Sequence, residues 1–139
     1  MNSILPPFSP SDLEGRTRNT PLRVLIVDDH QDNRLLLKLF LKKRGVETLE
    51  AANGKEAIEM ACDKCPHLIL MDLNMPIMDG FEATRQLTQM PATRLIPIVA
   101  VSALCNDPIQ DKKAIDAGCI YCLGKPVVLK KLQMILDTL

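Results

Sequence analysis

The chain has 139 residues, enough for one domain around a single apolar core, and its seventeen acidic and seventeen basic side chains cancel. That balance supplies no basic field for nucleic acid, no apolar run is long enough to span a bilayer, and the first residues lack the charged-then-apolar pattern of a secretory signal. A cytoplasmic protein without a direct nucleic-acid or membrane partner is expected.

Residues 1–21 contain four of the ten prolines (Pro6, Pro7, Pro10, Pro21) among Ser, Thr, Asn and charges, and predict a flexible tail or linker ahead of a domain over 22–139. The first apolar run, 22–27, reads as a strand. A helix follows over 32–44, with Leu35, Leu36, Leu39 and Phe40 as its apolar face and Gly45 as its stop. The run 46–51 is a second strand. A helix over 55–64 turns Ala57, Ile58 and Ala61 inward. Strand 67–71 and a helix over 81–90 come next. Strand 96–101 leads to a helix that starts at Pro108, a residue suited to a first turn, and ends at Gly118. The last pair is strand 120–123 and a helix after Pro126, with Val128, Leu132, Ile135 and Leu139 on one stripe.

The strands are rich in Val, Ile and Leu with little polar alternation, as in a parallel sheet covered on both faces. Strand then helix, five times over, predicts a doubly wound α/β sandwich with right-handed crossovers. Ligands in such sheets bind at the carboxyl ends of the strands.

Those ends carry the chemistry. The first strand runs into Asp28-Asp29, the third into Asp72, the fourth into Ser102 and the fifth into Gly124-Lys125-Pro126. Three carboxylates, one hydroxyl and one ammonium therefore gather on one edge. Neighbouring carboxylates repel, and a divalent cation relieves the repulsion. Oxygen-only ligands favour magnesium, which binds one or two carboxylates together with a phosphate.

The five cysteines, Cys62, Cys65, Cys105, Cys119 and Cys122, lie mostly among apolar residues and are expected as reduced, buried thiols. Two C-x-x-C pairs occur, Cys62/Cys65 and Cys119/Cys122. They stand more than fifty residues apart, without glycine-rich knuckles, and neither opens a helix after a strand. Packing is the preferred reading over zinc or redox chemistry. Cys105 is expected to be an incidental loop thiol.

The motifs Val24–Asp29 with His30-Gln31-Asp32-Asn33-Arg34, Leu70-Met71-Asp72-Leu73-Asn74-Met75-Pro76-Ile77-Met78-Asp79-Gly80-Phe81-Glu82, Ile98-Val99-Ala100-Val101-Ser102-Ala103 and Gly124-Lys125-Pro126 resemble the receiver domain of two-component response regulators. The Asp32-Asn33-Arg34 and Met-Asp-Gly-Phe-Glu details are most similar to receivers of hybrid histidine kinases. The resemblance implies a flavodoxin-like (βα)5 fold with strand order 2-1-3-4-5. It implies phosphorylation of Asp72 by a histidine kinase or histidine phosphotransfer protein, and output through a downstream protein or effector domain outside this chain. It further implies Mg2+ (or Mn2+) held by Asp29 directly, by Asp28 chiefly through water, by Asp72 and by the backbone carbonyl of Asn74. Ser102 matches the switch hydroxyl, and Lys125 the lysine that contacts the phosphoryl group. Such a domain catalyses only its own phosphorylation and dephosphorylation. Two alternatives stay open: a degenerate receiver that docks without phosphorylation, and a magnesium-dependent aspartyl-phosphate phosphatase. The second needs a carboxylate two residues beyond the nucleophile, where this chain has Asn74.

The family's aromatic switch residue stands three positions before the lysine. Here that position is Cys122, with Tyr121 one residue earlier. Alternation would send the two to opposite faces, so either a bulge restores Tyr121 to the role or Cys122 fills it without an aromatic. The stretch 102–118 is also one residue longer than the family's usual pattern. Asn74 and Leu104, each two residues beyond a site residue, are expected to flank the path of hydrolytic water, and the apolar Leu104 predicts slow self-dephosphorylation.

Overall fold

The structure, a computed structural model, describes residues 21–127 and 129–139. The tail expected over 1–21 therefore lies, except for Pro21, outside the described residues, as does Val128 of the last helical stripe.

Strands β1 (Arg23–Val27), β2 (Glu47–Ala51), β3 (Leu68–Met71), β4 (Ile98–Ser102) and β5 (Tyr121–Gly124) alternate with helices α1 (Gln31–Lys42), α2 (Gly54–Lys64), α3 (Gly80–Gln89), α4 (Pro108–Ala117) and α5 (Leu129–Leu136). Every strand pairing among the described residues is parallel, and the sheet order is β2-β1-β3-β4-β5, the flavodoxin-like arrangement. The absence of polar alternation is explained by burial on both faces. Leu25, Val27, Ile69, Met71, Ile98 and Ala100 meet Ala57, Ala61, Phe81, Ala83, Leu87 and Ala114 of α2, α3 and α4. Val24, Ile26, Leu68, Leu70, Val99 and Val101 meet Leu37, Phe40 and Leu41 of α1 and Leu132, Ile135 and Leu136 of α5. Each such large side chain contributes about 1.5–3 kcal/mol through its removal from water.

Local signals set the helix ends. Asn53, the N-cap of α2, accepts from the Glu56 N–H at 2.9 Å, and Glu56 Oε1 accepts from the N–H of Ala52, one residue before the cap, at 2.9 Å. Asp79 caps α3 by accepting from the Glu82 N–H, and Asp107 caps α4 ahead of Pro108. Gly45 and Gly118 leave their helices at φ +74° and +125°, conformations that a side chain would strain.

One expectation about α1 is overturned. Leu35, Leu36 and Leu39 are 50%, 54% and 52% exposed, and of the four residues read as the helix's apolar face only Phe40 is buried. The inward stripe is Leu37, Phe40 and Leu41. The segment Leu35-Leu36-Leu37-Lys38-Leu39-Phe40-Leu41 is apolar nearly all round, so periodicity alone cannot choose its face. Polar anchors make the choice: Arg34 reaches Glu50 Oε1 at 3.0 Å and the Asp28 carbonyl at 2.7 Å, and Lys38 reaches Glu50 Oε2 at 3.4 Å.

The cysteine expectation also needs correction. Cys62 and Cys65 are exposed thiols, because Cys65 is the left-handed C-cap of α2 and the chain turns to solvent there. Cys119 alone is a buried free thiol. Cys105 is neither exposed nor free: it is 5% exposed and joined to Cys122 by a disulfide. The loop after β4 folds back over β5 and brings the two Cα atoms to 5.7 Å, within the usual range for such a bond.

Candidate functional site

The parallel ladder extends one residue past each strand and so fixes the site's main chain. The Asp28 N–H donates to the Ala51 carbonyl (3.1 Å), the Asp72 N–H to the Val27 carbonyl (2.9 Å), and the Lys125 N–H to the Ser102 carbonyl (3.1 Å). Asp28, Asp72 and Ser102 are buried, at 2%, 5% and 0% exposure. Gly80 is the hidden part of this frame. A Cβ there would stand 2.1 Å from the Asp72 carbonyl oxygen, so only glycine lets the start of α3 pack onto the end of β3.

Lys125 joins the carboxylates. Its Nζ donates to Asp28 Oδ2 at 2.5 Å and to Asp72 Oδ2 at 3.1 Å. Burial would push this ammonium's pKa down, but the hydrogen bond to Asp28 and the charges of Asp72 and Asp28 outweigh it and hold the pKa above the ordinary lysine value. The opposite edges of the carboxylates are held by main chain. Asp28 Oδ1 accepts from the His30 N–H (2.8 Å), and Asp72 Oδ1 accepts from the Asn74 N–H (3.2 Å). Asn74 itself is exposed.

Asp29 is placed differently. Its Oδ1 is buried and makes no hydrogen bond, although the His30 Nδ1 lies 3.2 Å away. A buried carboxylate oxygen without a donor is costly, and here it sits beside the Asp28 carboxylate with ligand atoms of Asp28, Asp29 and His30 within 4.8 Å of one another. An unpartnered hard oxygen in an otherwise carboxylate-rich edge fits a divalent cation such as magnesium.

The expected residues are therefore brought to one edge to different degrees. Asp28, Asp72 and Lys125 touch directly, and Asn74 joins through its amide. Ser102 joins through the main chain of Lys125, and its Oγ accepts from the Leu104 N–H at 3.3 Å. Leu104 is half-buried against the α2–α4 side of the core. The β4–β5 register, Val99 to Tyr121 through Ser102 to Gly124, runs without a bulge. Cys122 faces the α2–α4 side opposite Ala100, whereas Tyr121 packs toward α1 and α5. Tyr121 is thus on the far side of the sheet from Ser102 and Cys122. Gly80 and the Cys105–Cys122 pairing are what sequence reading missed. The Asp-Gly step ahead of α3 is a visible signal for the former, while nothing in the spacing announces the latter.

A parallel sheet in this order, with buried acids and a lysine at its carboxyl edge, is the arrangement of a signalling receiver. Residues 24–137 match the response regulator receiver domain, and the chain belongs to that family, the receivers of two-component signalling. It is 37% identical over 118 residues to the sensor protein EvgS of Escherichia coli K12, which covers 85% of this chain and 10% of EvgS. The chain thus spans about a tenth of that relative's length. Among solved structures it is similar to the receiver domain of sensor histidine kinase PA1611 from Pseudomonas aeruginosa (TM-score 0.77, 29% identity, 84% of this chain and 95% of that one), in which a magnesium ion is coordinated in the active-site cleft. It is also similar to the Saccharomyces cerevisiae co-crystal of the histidine phosphotransfer protein Ypd1 and the receiver domain of Ssk1 (TM-score 0.73, 32% identity, 81% and 84% covered). No helix among the described residues is long and apolar enough to cross a membrane.

Proposed function

We propose that the chain accepts a phosphoryl group from a phosphohistidine onto Asp72 and uses it to bias a partner. The observation that carries this reading is the buried Asp72 carboxylate held between the Lys125 ammonium and the Asn74 amide. A carboxylate is already a nucleophile at neutral pH, so no general base is required. An Asp72 oxygen attacks phosphorus, the P–N bond breaks, and the imidazole leaves with the electron pair and takes up a proton. Lys125 would neutralise one phosphoryl oxygen, and the Ser102 hydroxyl, which accepts from the Leu104 N–H and keeps its own proton, would donate to another. Asp28, Asp29, Asp72 and the Asn74 carbonyl would hold magnesium, which would supply charge neutralisation for the transferring group. The free Asp29 oxygen supports that assignment.

The donor would be a histidine kinase or histidine phosphotransfer protein, and the exposed Leu35, Leu36 and Leu39 offer it a seat. They lie on α1, which begins two residues after Asp29. Contiguous exposed leucines next to a reactive edge suit a protein partner.

Incubation with a small acyl-phosphate donor and magnesium, read by intact mass, tests the assignment. Wild type gains one phosphoryl group and Asp72→Asn gains none. Equal labelling of the variant overturns the choice of Asp72, and no labelling of folded wild type favours the docking-only alternative.

A further inference from the structure

The segment that follows Ser102 and the strand that leads to Lys125 are covalently joined. Cys105 stands three residues after Ser102, and Cys122 three residues before Lys125. Their bond spans 17 residues of sequence and ties the loop after β4 to the middle of β5. The same loop is held by weaker contacts. The Cys105 N–H donates to the Ser102 carbonyl (3.1 Å), and Asn106, at φ +76°, places its amide where a Gly124 Cβ would stand, 2.1 Å away. The Asp111 carboxylate lies within 4.8 Å of both sulfurs. The core on both faces of the sheet is built chiefly from aliphatic side chains of the strands and helices, with Cys105 and Cys122 at the α2–α4 side. The bond's distinctive effect is therefore on the loop that carries Ala103, Leu104 and Asn106.

We propose that Cys105 and Cys122 form a thiol–disulfide exchange site, with a small thiol of the glutathione type as its reductant, and that the bond clamps the loop beside Ser102. The switching role rests on the phosphoacceptor reading above; the clamp itself does not. In the exchange, a thiolate attacks Sγ of Cys122, the more exposed of the two residues. The protein S–S bond breaks and Cys105 leaves as a thiolate that takes a proton. A second small thiolate attacks the mixed disulfide, releasing Cys122 as a thiol and a small-molecule disulfide. Two electrons pass to the protein and one S–S bond is exchanged for another. While the bond stands, neither Cys122 nor the loop can move independently, so the conformational response to a phosphoryl group is held back. Reduction frees both.

The whole chain, oxidised with glutathione disulfide or reduced with glutathione, is followed by amide NMR. Without any phosphoryl mimic, amide exchange for residues 103–107 and 121–124 is expected to speed up by about tenfold on reduction, as a local opening is released. Unchanged exchange rates, or a bond that millimolar glutathione does not open, overturn the proposal. Magnesium and beryllofluoride are then added. Amides at Asp72, Asn74 and Lys125 shift in both redox states, but shifts across α4 appear only in the reduced one. Equal α4 shifts in both states overturn the switching role. A redox-dependent exchange rate with no beryllofluoride response at Asp72 would leave the clamp standing and remove the phosphoacceptor reading. The double variant Cys105→Ser, Cys122→Ser is expected to behave as reduced under either condition; because wild type is tested in both states, a poorly folding variant does not decide the matter.

Discussion

Gly80→Ala is the sharpest test of how the fold holds the candidate phosphoacceptor. The new Cβ would stand 2.1 Å from the Asp72 carbonyl oxygen, 2.8 Å from Leu73 Cα and 2.9 Å from the Asp72 carbonyl carbon. A relaxed C···O contact is about 3.3 Å or more, so roughly 1.2 Å of movement is required. Every obstructing atom is main chain, and no rotamer can absorb the movement. Overpacking of this kind costs about 1–3 kcal/mol. Movement of α3 away from β3 also strains the Gly80 N–H to Leu73 carbonyl bond, now 3.0 Å, for about 1 kcal/mol more. With roughly 4 °C of melting temperature per kcal/mol at this size, the variant should melt about 8–16 °C lower. Gly45→Ala is the matched control: its φ is +74° but nothing lies within 4 Å, so only the backbone penalty of about 1–2 kcal/mol applies. Melts by circular dichroism and urea titrations supply the comparison. Displacement of Asp72 by about 1 Å should also slow acyl-phosphate labelling of the folded variant by about 10–100-fold. If Gly80→Ala melts no lower than Gly45→Ala and labels at the wild-type rate, the close approach of α3 to Asp72 is not what positions the acid.

Ile77 is a β-branched residue at φ +70° and 80% exposed, so Ile77→Gly removes strain and loses little packing. Relief of about 1–2 kcal/mol, less about 0.5–1 kcal/mol for the freer unfolded chain, predicts a melting temperature higher by about 2–4 °C; a lower one refutes it. Leu104→Glu places a carboxylate that can orient water where the wild type has only hydrocarbon, and the phosphorylated form should decay about tenfold faster. Equal decay, measured below the melting temperature of both proteins, would remove Leu104 from the tuning of the mark.

Element type and order were legible because the strands are short, unalternating Val/Ile/Leu runs punctuated by Gly, Pro and capping Asn or Asp. The acids and the lysine were legible because strand ends in a parallel sheet share one edge. Two things were not. The orientation of α1 depends on where Arg34 and Lys38 find Glu50, a contact 16 and 12 residues away that hydrophobic periodicity does not encode. The partner of Cys122 depends on how the loop after β4 folds, and the nearer sequence neighbour, Cys119, is drawn instead into the core. There its Sγ lies 3.8 Å from Thr84 Oγ1, and burial pushes the thiol pKa up to about 11. Spacing of two residues in sequence thus placed Cys119 and Cys122 together on paper, while the strand start between them sends each to a different partner.

Under the proposed phosphoacceptor reading, the charge arrangement lets the same lysine serve before and after phosphorylation. Asp28, Asp29 and Asp72 bring three negative charges and Lys125 one positive. Lys125 contacts Asp28 and Asp72 only, leaving the Asp29 oxygen without a donor. A divalent ion held by these carboxylates would add its positive charge to that of the lysine. Were a phosphoryl group to arrive on Asp72, as proposed, negative charge at the site would increase, and the ammonium would need only to turn from the carboxylate to the new oxygens. In the structure as it stands, burial works against the ammonium, but the hydrogen bond to Asp28 and the charges of Asp72 and Asp28 outweigh it and raise the lysine's pKa. Ser102 differs: its buried Oγ accepts from the Leu104 N–H and keeps its own proton free to donate, so the loop after β4 orients the hydroxyl. Lys125 can respond by side-chain rotation, whereas Ser102 depends on that loop. The loop is the segment that Cys105 fastens to β5, where the proposed thiol–disulfide exchange would supply a second input.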